Sequence, residues 1–208
     1  MKYFLVYIVF FNSFLYSQTN ESKDSLGFYT NLASENIKNN KYKNALFYTQ
    51  KAINFSETSG SIIDQANQTF KLGEIYYTLK KYNDAIEIFS ESIALFETTK
   101  PTPSYANTYY YLGLSHIGKS NYSAAEICFN KAQSIYKALK INGYDDLINL
   151  QKGIIFKNKG NKKMASSIFN TIIAKPDNPA FLNTKAEASY QIGLIEEENN
   201  RNNLALTY

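Results

Sequence analysis

The sequence predicts an all-α solenoid, built from antiparallel helix pairs that repeat every 40 residues. Three series of small or aromatic residues share that period: Ala45, Ala85, Ala125, Ala165 and Ala205; Ala33, Gly73, Gly113, Gly153 and Gly193; and Phe89, Phe129 and Phe169. Self-similarity at one fixed period is the mark of a repeat architecture. Three series that agree on the same period therefore indicate a repeat and not coincidence.

The spacing inside one repeat predicts two helices. Apolar residues recur at helical spacing before and after a polar break at 80–81. Gly73 precedes the break and Ala85 follows it, and we expect the two helices to cross closely at these small residues. We expect Phe89 to fill the space between one pair and the next. Glycine inside a helix costs about 1 kcal/mol relative to alanine, so its recurrence indicates that close approach outweighs helix propensity.

The segment "ANQTFKLGEIYYTLKKYNDAIEIFSESIALF" at 66–96 resembles a tetratricopeptide repeat. The resemblance covers about residues 26–208. It implies a right-handed superhelix with about four full units and a truncated fifth, in which the first helices line the concave surface. The motif is carried by Leu72, Gly73, Tyr76, Ala85 and Phe89, and the repeats fall at 26–56, 66–96, 106–136, 146–176 and, incompletely, 186–208.

The sequence departs from the family pattern at several positions. Ser92 stands where alanine is usual, Thr49 where an aromatic residue is usual, and Lys152 where leucine is usual. The 40-residue period also exceeds the family's usual length of about 34 residues, with the surplus between repeats. The resemblance does not imply the clamp that some relatives use for a C-terminal carboxylate, because its asparagine offset is occupied by Lys71, Tyr111 and Gln151.

The resemblance implies a non-catalytic scaffold that binds a protein or peptide in its concave groove. A mixed apolar and amide-bearing groove suits an extended peptide or a partner helix. Tyr76 and Tyr109 are expected in the core instead. The residues predicted to line the groove are Asn67, Phe70, Glu74, Tyr77, Asn107, Tyr110, Leu114, Ile117, Leu147, Leu150, Ile154, Lys157, Glu187, Tyr190 and Leu194.

The chemistry-bearing residues are few. A single histidine, His116, argues against a histidine-based dyad or a multi-histidine metal site, and we expect it in the core, with a pH-responsive switch as the alternative. Cys128 is the one cysteine, so an internal disulfide is excluded. We expect a buried structural thiol, with a redox or crosslinking site as the alternative. The acidic cluster at 196–199 is expected to be a solvated face, or else a contact for a cation or basic peptide. We therefore predict no catalytic residue, cofactor or metal.

The N-terminal sequence "MKYFLVYIVFFNSFLYSQ" has the layout of a secretory signal peptide at 1–17, with cleavage before Gln18 and a short linker at 18–25. Its apolar run is shorter than the roughly 20 residues that span a bilayer, although a retained anchor is the alternative. We expect an exported protein, periplasmic or at the cell surface. The net charge of +4, with no basic run longer than two residues, argues against a nucleic-acid partner.

An alternative function is the periplasmic sensory region of a larger signalling protein. The order of signal peptide and long-period repeats resembles that of bacterial, Bacteroidetes-like histidine kinases and helix-turn-helix regulators, whose membrane and output domains would lie outside this chain. Membrane contact would then come only from a missing C-terminal segment. The fifth repeat has barely begun its second helix at Ala205, so we expect it to be the least stable unit.

Overall fold

The computed structural model describes residues 25–176, 179 and 182–205, with side chains as far as residue 200. The predicted signal peptide lies outside the described residues. Within them the chain forms nine α-helices and no strand. These helices are α1 (25–38), α2 (Tyr42–Thr58), α3 (Ile62–Thr78), α4 (Tyr82–Glu97), α5 (Pro103–Gly118), α6 (Tyr122–Ala138), α7 (Tyr144–Asn158), α8 (Lys162–Ile173) and α9 (Leu182–Ala205).

Consecutive helices pack as antiparallel pairs, which confirms the predicted α-solenoid. The pairs α1/α2, α3/α4, α5/α6 and α7/α8 are units 1 to 4, and α9 begins unit 5. The first helices α3, α5, α7 and α9 contact one another directly, whereas consecutive second helices make at most marginal contact. Closer spacing on one side curves a solenoid toward that side. The first helices therefore form its inner layer.

The turn inside each pair repeats at the backbone level. Asn40, Lys80, Ser120 and Gly160 all adopt positive φ. The N–H of the residue that follows each of them donates to the carbonyl five residues earlier. The Lys81 N–H, for example, donates to the Tyr76 carbonyl at 2.9 Å. This is the Schellman arrangement, which satisfies carbonyls at a helix C-terminus. The polar break predicted at 80–81 is this turn, and its recurrence fixes the 40-residue period.

Side-chain caps start several of the helices. The Ser61 hydroxyl accepts from the Asp64 N–H, and the Thr102 hydroxyl accepts from the Tyr105 N–H. Such caps satisfy N–H groups that have no partner within the helix. Pro103 occupies the first turn of α5, where its fixed φ suits the helix and its missing N–H is not needed.

The core of each pair in units 2 to 4 is a glycine facing a phenylalanine. A Cβ placed on Gly73 would lie 2.4 Å from the Phe89 ring, and the same holds at 2.4 Å for Gly153 and Phe169. The prediction that Phe89 fills the space between pairs is therefore incomplete, since its ring lies 6.0 Å from Tyr111 of the next pair but also on a glycine of its own pair. The ring lies on the glycine of its own pair, because only a residue without Cβ leaves room for it.

The other repeat positions are buried as far as unit 4. Ala33, Ala45, Ala85, Ala125 and Ala165 are fully buried, as are the three phenylalanines, and Gly113 is buried against Phe129. Gly193 in α9 differs, since no heavy atom of the described residues would lie within 4 Å of its Cβ. The side chain of Ala205 lies outside the described residues. Among the helices described, none is long and apolar enough to cross a membrane.

Candidate functional site: the inner layer of first helices

Three of the predicted groove residues are not on an open surface. Phe70, Tyr110 and Leu150 share one repeat position and are buried, with exposed fractions of 8%, 9% and 3%. Phe70 packs against the rings of Phe89 and Tyr111, at centroid distances of 6.0 and 5.7 Å. The prediction that these three residues line the groove is therefore wrong. They fill the junction between successive units.

The remaining predicted groove residues are half-buried or exposed along the inner layer. Tyr190 is 61% exposed. The Asn107 side chain is engaged, because its Oδ1 accepts the hydroxyl of Tyr136. Whether these residues bind a partner stays a prediction. The half-buried set is Asn67, Glu74, Tyr77, Asn107, Leu114, Ile117, Leu147, Ile154, Lys157, Glu187 and Leu194.

A second series of inner-layer residues was not predicted as part of the site. Each of these residues comes one position after Phe70 or its equivalent in another repeat. Each contacts a side chain on a neighbouring first helix. Lys71 Nζ donates to Ser34 Oγ at 3.4 Å, and Lys157 Nζ donates to Gln191 Oε1 at 2.5 Å. The contacts tie each first helix to the one before it. The series is Lys71, Tyr111, Gln151 and Gln191.

Tyr111 is the centre of this arrangement. Its ring lies 5.6 Å from Tyr77, 5.7 Å from Phe70, 5.8 Å from Tyr110 and 6.0 Å from Phe89. Edge-to-face and tilted aromatic pairs each contribute about 0.5–1.5 kcal/mol beyond burial. Tyr111 thus locks unit 2 to unit 3. The sequence places Tyr111 at the same repeat position as Lys71 and Gln151, but the period alone does not show that its ring joins two units.

Two charged residues beside Tyr111 are half-buried. Burial lowers the pKa of Lys71, partly opposed by nearby Glu74. Burial likewise raises the pKa of Glu74, opposed by the Tyr111 hydroxyl that hydrogen-bonds it and by Lys71. The pKa of Tyr111 is raised to about 12, chiefly by burial. A cation and an anion thus lie next to aromatic rings with reduced access to water, which strengthens their interaction with any polar group placed on them.

The candidate reactive residues lie elsewhere and are buried or half-buried. Burial raises the pKa of Cys128 to about 11, so its thiol stays protonated and weakly nucleophilic. His116 is half-buried, its Nδ1 has no hydrogen-bond partner in the described part of the chain, and burial lowers its pKa. In the described part of the chain, no group of three His, Cys, Asp or Glu side chains is placed to hold a metal ion. The acidic cluster is exposed on α9, where Glu198 lies 3.0 Å from Lys162.

Comparison with protein families and with solved structures supports the fold. Residues 65–138 match a family model described as tetratricopeptide repeat. No curated protein matches the sequence.

Three solved structures illustrate the similarity of the fold. Aspartyl phosphate phosphatase F from Bacillus subtilis is 16% identical with a TM-score of 0.75, over 88% of this chain and 48% of that one. This chain therefore spans about half of that structure. A putative kinesin light chain of Podosopora anserina with nearly identical TPR-like repeats is 11% identical with a TM-score of 0.66, over 88% and 90%. The apo form of RapI is 18% identical with a TM-score of 0.58, over 93% and 80%.

Identities this low show the fold alone. The match at 65–138 covers units 2 and 3, and the glycine–phenylalanine pairs and Schellman turns extend the same arrangement to unit 4. Residues 65–138 therefore carry tetratricopeptide repeats, and the described chain has the fold of the solenoids that such repeats build.

Proposed function

We propose that the chain is a binding scaffold that holds an extended segment of a partner protein along the inner layer of first helices. The observation that carries this proposal is the patch formed by Lys71, Glu74, Tyr77 and Tyr111, where units 2 and 3 meet. It combines one cation, one anion and two tyrosines, all half-buried on the inner side of the solenoid. Tyrosine-rich, partly desolvated patches are typical of the residues that dominate binding energy.

The contacts around the patch hold its side chains in place before a partner binds. Tyr111 is held by four rings and by its hydrogen bond to Glu74, so it loses little rotamer freedom when a partner arrives. Preorganisation of this kind improves affinity because less entropy is lost on association. Half-buried Asn67 can bond the backbone of an extended peptide with its amide group. The partner we expect is therefore a peptide segment with polar and aromatic groups.

The proposal is tested by photocrosslinking in the cells that make the protein. Benzoylphenylalanine is placed at Tyr77 and at Tyr190 on the inner layer, and at Phe47 on α2 as the control. Tyr190 and Phe47 are matched in exposure, at 61% and 57%. We expect the two inner positions to crosslink the same partner and Phe47 not to. The paired substitution K71M/E74Q, which preserves side-chain size, is expected to weaken both crosslinks. Equal labelling from Phe47 would contradict the proposal.

We further propose that the chain is exported, as residues 1–17 suggest. N-terminal sequencing of the mature protein tests this point, with Gln18 as the expected first residue. A mature protein that begins at Met1 would refute cleavage at that site. The alternative function, a sensory region of a larger signalling protein, makes use of the same inner layer, so the crosslinking experiment applies to both.

A further inference from the structure

The 40-residue period allows one junction between units to be compared with the next. At the junction of units 2 and 3, α4 meets α5 through apolar and aromatic side chains. Ile93 and Leu112 are buried there, and Tyr105 and Tyr109 pack against the same cluster. The Tyr105 ring lies 5.6 Å from Phe96 and 5.4 Å from Tyr109. This junction is closed by ordinary hydrophobic contact.

At the junction of units 3 and 4 the same four positions are polar. Gln133, Asp145, Asn149 and Lys152 stand 40 residues after Ile93, Tyr105, Tyr109 and Leu112. Three of these residues are hydrogen-bonded in a chain. Lys152 Nζ donates to Gln133 Oε1 at 3.2 Å, and Gln133 Nε2 donates to Asp145 Oδ1 at 2.7 Å. The hydrophobic contact is thus replaced by a small polar network.

A cleft lies at this junction. Helices α6 and α7 contact each other less extensively than α4 and α5 do. The space between them measures about 890 Å³, within the range of about 300–1,000 Å³ typical of ligand sites. Its lining residues come from α6, the following loop, α7 and the segment after α8, and they include the amide side chains of Asn130, Gln133, Asn142 and Asn149.

The base of the cleft is fixed by two stacked rings. Tyr136 and Tyr144 lie 3.9 Å apart at an interplanar angle of 12°. The Tyr136 hydroxyl donates to the Asn107 side chain, and Tyr136 is buried. These contacts hold the two helices in position while the polar walls above them stay apart. The cleft is therefore part of the packed structure.

The walls offer amides and positive charge. Three lysines, Lys137, Lys140 and Lys175, line the cleft against one aspartate, Asp145, whose Oδ1 is already bonded by Gln133. Lys175 also contacts Asp146 and is the least available of the three. Four amide side chains lie along the walls, and each can donate and accept as a peptide group does. The chemistry suits a chain with backbone amides and negative side chains.

A compact anion fits less well. An isolated phosphate prefers a helix N-terminus free of negative charge. The first turn of α7 carries Asp145 and Asp146, which oppose it. The lysines are also spread over α6, the loop after it and the end of unit 4. Dispersed charges match several carboxylates along an extended chain better than they match one small ion.

The structure assigns to this cleft a second binding site, which takes an acidic, extended peptide segment between α6 and α7. The site is separate from the inner layer. At 100° per residue, Asp145 and Asn149 lie on the side of α7 nearly opposite to Leu150 and Ile154. The inference therefore does not depend on the function proposed for the inner layer.

Fluorescence anisotropy with the purified chain tests the inference. The probe is a fluorescein-labelled peptide in which glutamate alternates with serine, and its counterpart carries glutamine in place of glutamate. We expect the acidic peptide to bind and the counterpart not to bind. The variant K137Q/K140Q/K175Q should weaken binding about tenfold, as expected for the loss of three exposed charge pairs. The control K43Q/K100Q/K163Q removes the same charge from exposed sites outside the cleft and should leave affinity unchanged.

A second variant tests the cleft itself. The substitutions Q133I, D145Y and N149Y restore the residues of the preceding junction and should abolish binding by closing the space. In the unaltered chain, the side-chain amide NMR signals of Asn130, Asn142 and Asn149 should shift on titration. Any of four results would overturn the inference: equal binding of both peptides, no binding, an equal loss of affinity in both lysine variants, or displacement of the peptide by inorganic phosphate at peptide-like concentrations. Weaker binding in K71M/E74Q would place the peptide on the inner layer, which overturns this site and leaves the proposed function intact.

Discussion

Thr49 has a buried hydroxyl without a partner. Its Oγ1 makes no hydrogen bond to any described residue, although the side chain is fully buried in α2. The residue stands where Phe89 stands in unit 2, and Ala33 stands where unit 2 has Gly73. The added methyl of the alanine replaces only part of the volume by which threonine is smaller than phenylalanine. Unit 1 thus has a smaller pair of side chains at these positions and one unsatisfied polar atom.

We therefore predict that Thr49→Val stabilises the chain. Removing a buried hydroxyl without a partner relieves a penalty of about 1–3 kcal/mol, of which we expect about 1 kcal/mol. The melting temperature should rise by about 2–4 °C for a chain of this size. The matched control is Thr108→Val, since Thr108 is equally buried but its hydroxyl donates to the Ser104 carbonyl at 2.8 Å. That variant should not gain stability. Equal melting shifts in the two variants would rule out this explanation.

A glycine in the first helix sets the close approach of the helix pair in units 2 to 4. Gly73, Gly113 and Gly153 each lie against the ring of a phenylalanine from the same unit, and that ring is fully buried. The ring therefore has little room to move aside. Gly193 occupies the same position of the first helix in unit 5 and has no such neighbour among the described residues. One repeat position thus provides both a test site and its control.

We predict that Gly73→Ala destabilises the chain by about 1–3 kcal/mol through overpacking against Phe89. Gly193→Ala should instead be neutral or stabilising by up to about 1 kcal/mol, because helix propensity alone changes there. Urea unfolding followed by circular dichroism gives both values. A gain in stability for both variants would show that the ring accommodates a methyl group. In that case close approach would not explain the recurrence of glycine.

These positions also show what the sequence could predict. Small residues and phenylalanines that recur at one period identified the helix pairs and the turn between them, because the same contact is made in every unit. The packing of the phenylalanine on the glycine of its own pair is missing from the prediction, since the period alone does not give direction. Phe70 and Tyr110 were placed in the groove for a related reason. A side chain that points to the inner layer in one unit is covered by Tyr111 or Gln151 of the next unit.

The polar junction between units 3 and 4 could not be predicted from the repeat period. Lys152 departs from the family pattern in the sequence, but one departure does not indicate a cleft. Its partners Gln133 and Asp145 come from α6 and from the start of α7. Only the packing of the two helices brings them together. A difference between two junctions becomes visible only when their three-dimensional packing is compared.

At the scale of the whole molecule, stability depends on these junctions. Each unit of a solenoid contacts only its neighbours, so the stability is close to a sum of unit and interface contributions. The junction of α6 and α7 replaces two buried apolar residues, Ile93 and Leu112, by Gln133 and Lys152. Full burial of such a side chain contributes about 1.5–3 kcal/mol. The burial lost at the interface between units 3 and 4 is worth about 3 kcal/mol or more, and the hydrogen bonds of the polar network offset part of it. We therefore expect this interface to be weaker than that between units 2 and 3.

We therefore predict that the chain unfolds in two steps. Helices α7 to α9 should lose amide-exchange protection at lower urea than α3 to α6, because they form fewer units and join the rest through the weak interface. Hydrogen exchange measured by mass spectrometry at increasing urea resolves the two regions. The variant Q133I/D145Y/N149Y restores apolar contact and should bring the two transitions together. The mirror variant I93Q/Y105D/Y109N should introduce a new break before α5. A single transition that spans α3 to α9 in the unaltered chain would show that the polar network couples units 3 and 4 as tightly as the hydrophobic contact couples units 2 and 3.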